Sequence, residues 1–285
     1  MPPDTTVGLA SIADIARAGE PDRYLAATLC PDAVAPHLIA LAAFAAELRR
    51  IPEVAVREPM MGQMRLQWWH DALAQAEEGN VVGQPVADAL GGAMRAGALP
   101  RAALQELADA FAVLLDREPF ADERALRGHL RATDGTLFRL AAGCLSPEGR
   151  VTCAVTDAAG EAYGLARLLF HLPHAVQRGI VPLPQDLLTD AKLTADAVRS
   201  GVERPEIEAV AGKLARRAQQ AHAAVMQHVA HMPRDTRLAF LPLALVGRYL
   251  RAVEDAGTSL LRSPPMLAPW RRAWLIARAA WFGVW

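Results

Sequence analysis

Apolar residues recur at three- and four-residue intervals along nearly every long segment of this 285-residue chain, and strand-like alternation is scarce. The stretches 34–50, 61–78, 101–115, 153–177 and 205–231 are rich in Ala, Leu, Arg and Glu, residues that lose little side-chain freedom on entering a helix. Pro31, Pro36, Gly79, Pro85, Pro100, Pro119, Pro205 and Pro233 punctuate the spaces between them. The connections are short, as between antiparallel neighbours in a bundle. No internal repeat, low-complexity tract or shift of composition marks a second domain. The pattern predicts an all-α fold.

Charge and cysteine content exclude several function classes. The formal net charge is −1, so no bulk positive field draws the chain to nucleic acid. Cys30, Cys144 and Cys153 are odd in number and lack C-x-x-C spacing. They indicate neither a disulfide framework nor a thiolate zinc site, and they fit a reducing compartment. The start, MPPDTTVGLASIADIARAGEPD, sets Asp4, Asp14, Glu20 and Asp22 against Arg17 alone. Neither a secretory signal nor a mitochondrial presequence is expected from it. No apolar run of about 18 residues escapes a charge, so no spanning helix is expected either. The expected location is cytoplasmic.

Within VTDAAGEAYGLARLL (155–169), Gly160 and Gly164 lie four apart. Each costs about 1 kcal/mol relative to Ala inside a helix, so each asks for a reason: a tight helix crossing or a face open to a ligand. Helical spacing from Asp157 places Glu161, Gly164, Leu168 and His171 on one face, with Arg167 beside it. Asp157 and Glu161 suit a hard cation such as magnesium, and equally a solvated helix start, where acids complement the dipole. His171 and His174, like His228 and His231, are three apart. Pro173 interrupts the first pair, neither pair has an H-E-x-x-H signature, and no cysteine completes a set, so no metal site is expected there. No G-x-S-x-G elbow, P-loop or G-x-G-x-x-G supports a hydrolase, an NTPase or a dinucleotide enzyme.

Three segments carry a family likeness. Residues 23–50 (RYLAATLCPDAVAPHLIALAAFAAELRR) resemble the opening of the squalene/phytoene synthase family, where an aromatic residue and a proline lead into an Asp-rich helix. Residues 163–188 (YGLARLLFHLPHAVQRGIVPLPQDLL) resemble its second signature and keep the R-G-x-V-x-L-P tail as Arg178, Gly179, Val181, Leu183 and Pro184. GQMRLQWWHDAL (62–73), with Arg65, Trp68, Trp69 and Asp71, is similar to the helix between them. The resemblance implies an isoprenoid (terpenoid) synthase-type helical bundle with a central apolar cavity. It implies a domain over 21–285 that follows an N-terminal extension at 1–20, with Tyr24, Arg65, Glu161, Gly164 and Arg178 as residues of the ligand cavity.

In that family two D-x-x-x-D pairs on facing helices clamp magnesium on a prenyl diphosphate, and the metals stabilise the departing diphosphate. Here the first pair aligns with Ala46 and Arg50, with Glu47 between them. The second aligns with His171 and Ala175, with Arg167 one turn earlier. Arginine repels divalent ions and magnesium prefers oxygen ligands to imidazole, so no cofactor is expected and head-to-head prenyl transfer is expected to be lost. Arg50 and Arg167 are then free to hold an anionic lipid or prenyl phosphate, since guanidinium pairs bidentately with phosphate, or they pair with Glu47 and Glu161. The alternative is an active transferase that binds Mg2+ through displaced acids: Asp157, Glu161 or Glu47.

The patterns LAAFAAEL and QMRLQWW are similar to a branch of the family whose members assemble respiratory complex I. That likeness implies complex I subunits or assembly intermediates as partners. The tail 266–285 holds four of the six tryptophans (Trp270, Trp274, Trp281 and Trp285) with Arg271, Arg272 and Arg278. This composition suits either a helix on the inner face of a membrane or one that closes the bundle.

Overall fold

The computed structural model describes residues 5–54, 59–146, 151–201 and 204–285. In chain order these form α1 (Thr5–Gly19), α2 (Pro21–Ala27), α3 (Ala35–Val54), α4 (Pro59–Glu77), α5 (Pro85–Arg95), α6 (Arg101–Asp109), α7 (Glu123–Leu130) and α8 (Thr136–Leu145). They continue as α9 (Cys153–Gln177), α10 (Gln185–Asp190), α11 (Ala195–Arg199), α12 (Pro205–Val229), α13 (Arg234–Leu238), α14 (Val246–Ala256) and α15 (Pro269–Phe282). A π-helical turn, Arg131–Gly135, joins α7 to α8. No strand is present among the described residues, where Phe120 and Pro184 form an isolated parallel bridge. The all-α expectation holds.

Local chemistry sets the helix ends. Proline occupies the first turn of α2, α5, α12 and α15, where its missing N–H would have had no partner in any case. Side chains cap others: Asp122 accepts from the Ala125 N–H at 2.7 Å at the start of α7, and Gln84 from the Ala87 N–H at 2.6 Å at the start of α5. Pro173 lies inside α9, within the stretch 153–177 expected to be helical. Burial of Leu172, Pro173 and Val176 holds the helix on to Gln177 despite the lost backbone hydrogen bond.

The chain divides into two compact units. The first is Met1–Leu115 with Arg139–Val151 and Pro233–Leu241. In it α1 and α2 pack on α3, α3 on α4 and α5, and α4 on α5 and α6. Its core centres on Trp69, 1% exposed, whose ring meets Phe44 edge-on at 4.9 Å. Leu48, Leu73, Leu90 and Phe111 are buried with them.

The second unit is Asp116–Phe138 with Thr152–Met232 and Pro242–Trp285. Here α9 is the central post, in contact with α12, α14, α7 and the π turn. Phe138 meets Tyr163 at 5.9 Å, and Phe170 meets Tyr249 at 4.4 Å, so aromatic pairs lie along the buried length of α9.

Candidate functional site

In the first unit α3 carries the positions aligned with the first acidic pair. Ala46 is buried and packs on α1: a Cβ on Gly19 would overlap the Ala46 methyl. An aspartate at 46 would meet the helix that now covers that site. Glu47 Oε2 lies 3.9 Å from Arg65 Nη2, a loose pair with Arg65 58% exposed. Arg50, one turn on, is exposed, and Tyr24 on α2 is half-buried. The expected pairing of Arg50 with Glu47 is absent, since Arg65 on α4 takes that carboxylate.

A buried ionic cluster lies close by in sequence. Glu20, 1% exposed at the junction of α1 and α2, binds the Arg49 guanidinium, and Arg23 Nε is 3.4 Å from its other oxygen. Arg49 also lies over the Phe111 ring at 5.5 Å. Little in the sequence signals this cluster. Glu20 is buried and Arg49 nearly so, which requires each charge to find the other.

In the second unit α9 carries the remaining positions. Glu161 is 5% exposed and accepts from Arg217 Nε on α12 at 2.8 Å, with Arg131 Nη2 of the π turn at 3.5 Å. The solvated helix start is therefore not what forms at this residue, and the pairing of Arg167 with Glu161 is replaced by two other arginines. Arg131 and Arg217 are 48% and 40% exposed, so water screens part of the attraction. Arg131 and Arg217 were missed because the chain is rich in arginine. The readable signal was Glu161 itself, an acid set in a run of Ala, Gly and Leu.

The two glycines of α9 serve a close helix crossing. A Cβ at Gly160 would lie 2.6 Å from the Gly135 Cα and 3.0 Å from the Leu130 carbonyl oxygen. One at Gly164 would lie 2.8 Å from Leu130 Cδ2 and 3.1 Å from Asp134 Oδ2. Arg167, half-buried, follows one turn beyond Gly164. His171 is exposed with its ring against Phe170, Ala175 is half-buried, and Arg178 is exposed at the end of the helix. His171 and His174 stand 6.2 Å apart between ring centres with their planes at 67°.

The donor set does not fit magnesium. Hard cations take oxygen ligands, mostly carboxylates. Of the acids on the two motif helices, Glu161 is held by two arginines and Glu47 lies loosely beside Arg65. No group of three or more His, Cys, Asp or Glu suited to a metal occurs among the described residues.

The fold is that of known terpenoid synthases. A squalene synthase, HpnC of Alicyclobacillus acidocaldarius, superposes with a TM-score of 0.74 at 17% identity, over 90% of this chain and 97% of that one. A dehydrosqualene synthase solved with a ligand gives 0.80 at 17% identity, over 98% and 97%. The sequence pattern of the squalene/phytoene synthase family matches residues 16–274, and the chain belongs to that family. Among relatives, the NADH dehydrogenase (ubiquinone) complex I assembly factor 6 of Mus musculus is 27% identical over 174 residues, and that of Homo sapiens 26%. The match covers 61% of this chain and 52% of each relative, so the chain spans about half the length of these proteins.

Proposed function

We propose that this chain is a non-catalytic member of the squalene/phytoene synthase family that serves the assembly of respiratory complex I. The observation that carries the reading is the donor set on α3 and α9. Where the family needs carboxylates, this chain has Ala46 buried under α1, Arg50, His171 and Ala175, and Glu161 on α9 is already paired with arginine. Four carboxylates exchanged for neutral or cationic groups remove the charge that binds magnesium, and with it the means of expelling diphosphate. The likeness to assembly factor 6 over 174 residues supports the assembly role. The expected partners are complex I subunits or assembly intermediates. The expected ligand is an anionic lipid or prenyl phosphate held without metal.

The reading includes peripheral contact with a membrane through α15. Trp270, Trp274 and Trp281 are 65%, 53% and 61% exposed and fall within a narrow arc of the helix, opposite buried Ile276 and Ala279. Arg271 and Arg278 flank that arc, and the helix has no acid. Tryptophan with arginine favours an anionic interface. No helix among the described residues is long and apolar enough to cross a membrane.

The test is deletion of the gene in its host, followed by NADH:ubiquinone oxidoreductase activity of the membranes with and without the restored chain. Loss of activity and of the assembled complex, rescued by the wild-type chain, is expected; an unaffected complex would overturn the assembly role. Purified protein given magnesium and farnesyl diphosphate is expected to release no diphosphate. Condensed prenyl product would instead establish the active transferase.

A further inference from the structure

We infer that the exposed face of the first turns of α4 is a docking surface for one apolar helix of a partner protein. The inference rests on the assembly role proposed above and gives that role a contact surface. Gly62, Leu66, Trp69 and Leu73 of α4 are buried in the first unit. A helix that buries one face normally turns polar side chains outward on the other. Here the opposite face carries Met60, Met61, Met64 and Trp68, which are 71%, 54%, 61% and 40% exposed. Met60, Met64 and Trp68 are spaced by four and form one row along the helix. At a rise of about 1.5 Å per residue the row is about 12 Å long, the width of a single α-helix. Beyond it the same face turns polar, with exposed Asp71 and Gln75.

The chemistry of the row selects its occupant. Residues spaced by four make the ridge that packs into the groove of a crossing helix. Methionine is unbranched and refits its contacts, and Met, Trp and Arg are enriched where proteins meet while Lys, Glu and Asp are depleted. From Pro59 to Trp68 the one charged residue is Arg65, set loosely beside Glu47 at 3.9 Å. Asp71, next along, accepts from the Gln67 amide at 3.2 Å. The patch therefore has no excess of positive charge to draw it to an anionic bilayer, unlike α15 with its three arginines and no acid. Four part-exposed side chains make a patch of a few hundred Å², the size that marks an interaction site. That is short of the roughly 800 Å² per partner of a stable interface, so a standing dimer of this chain does not fit. A contact with one helix of another protein, released when assembly is complete, does. Trp68 is its anchor: the ring stands edge-on at 5.0 Å to fully buried Trp69 and is held in place before a partner arrives.

The test uses the full chain in its host, with the photo-reactive residue p-benzoylphenylalanine in place of Met64. Irradiation is expected to give an adduct with another polypeptide, and the cross-linked peptide, mapped by mass spectrometry, is expected to lie in an apolar or amphipathic helix. The same probe at Val81, 87% exposed beyond the end of α4, should not form that adduct. In the Met64 probe chain, W68A should lower the adduct at least about tenfold, as loss of an aromatic anchor does. M60Q/M61Q should lower it as well. The melting temperature of that variant should stay within about 2 °C of wild type, because both side chains are mostly in water, so lost docking is separated from lost folding. The inference is overturned if position 64 forms no adduct, if it forms one only with lipid or with a second copy of the chain, or if position 81 gives the same adduct. It is equally overturned if M60Q/M61Q cross-links as fully as the unsubstituted probe chain. The two readings fail separately. If wild type restores the oxidoreductase in the deletion strain and position 64 forms no adduct, the role stands and this surface does not serve it. If wild type restores nothing and the adduct still forms and depends on Met60, Met61 and Trp68, the surface stands and the complex I role falls.

Discussion

Replacement of Gly160 by alanine tests whether α9 and the π turn are in backbone contact. Two effects oppose each other. Alanine favours a helix over glycine by about 1 kcal/mol. Against that, the new methyl would lie 2.6 Å from the Gly135 Cα and 3.0 Å from the Leu130 carbonyl oxygen, where ordinary contact begins at 3.4 Å. These atoms, and the Gly135 nitrogen that lies nearer still, are backbone, so no rotamer change relieves the overlap and the crossing must open by roughly 1 Å. Overpacking of a fitted contact costs typically 1–3 kcal/mol, and rigid neighbours put this case at or above the upper end. The net expectation is a loss of about 2 kcal/mol, or about 4–8 °C in melting temperature for a chain of this size. Gly128→Ala on α7 is the matched control: nothing lies within 4 Å of its Cβ position, so it should gain up to about 1 kcal/mol. Urea and thermal unfolding followed by circular dichroism at 222 nm would read both. Equal stabilisation of the two variants would refute the close crossing.

Glu161→Gln should destabilise by about 1–2 kcal/mol, because one buried carboxylate serves two guanidinia that are half in water. In a double-mutant cycle with R217Q the loss should be less than additive; strict additivity would count against the pair. Gly19→Ala should cost a similar amount, since its methyl would meet that of Ala46 at the crossing of α1 and α3, and a neutral result would show that α1 does not pack there. Burial pushes the Cys30 thiol up to about 12 and that of Cys144 up to about 11. At pH 8 a thiol reagent should therefore modify exposed Cys153 at once and the other two only on unfolding; three fast thiols would contradict this. The same shifts keep the folded state protonated where the unfolded chain ionises. Their stabilisation is complete below pH 9 and is lost as pH rises through the range to about 12. Burial lowers the His222 pKa, so stability should also fall as pH drops below 6.5, by an amount that His222→Gln abolishes.

The all-α architecture was legible because it depends on local pattern. The apolar spacing of 153–177 and 205–231 became α9 and α12 almost to the residue, and prolines at 85 and 205 opened helices as their missing N–H allows. The family was legible from motif residues that keep their spacing. What the sequence could not supply was which arginine meets which acid. Helical periodicity tells which face Glu161 is on. It does not tell that Arg131 reaches it from a π turn 30 residues upstream and Arg217 from a helix 56 residues downstream. Arginines are so frequent here that no single one stands out.

The packing explains how the fold tolerates substitution at the motif positions. The helices that carry the motifs are held by apolar contacts: Phe44 on Trp69 in the first unit, Phe138 on Tyr163 and Phe170 on Tyr249 in the second. None of these depends on an acidic motif, so the acids were free to vary without loss of the bundle. In a synthase the like-charged aspartates repel until metal arrives, which is a cost borne for function. Here the buried acids Glu20 and Glu161 each have their own arginines, so that their charge is met within the protein.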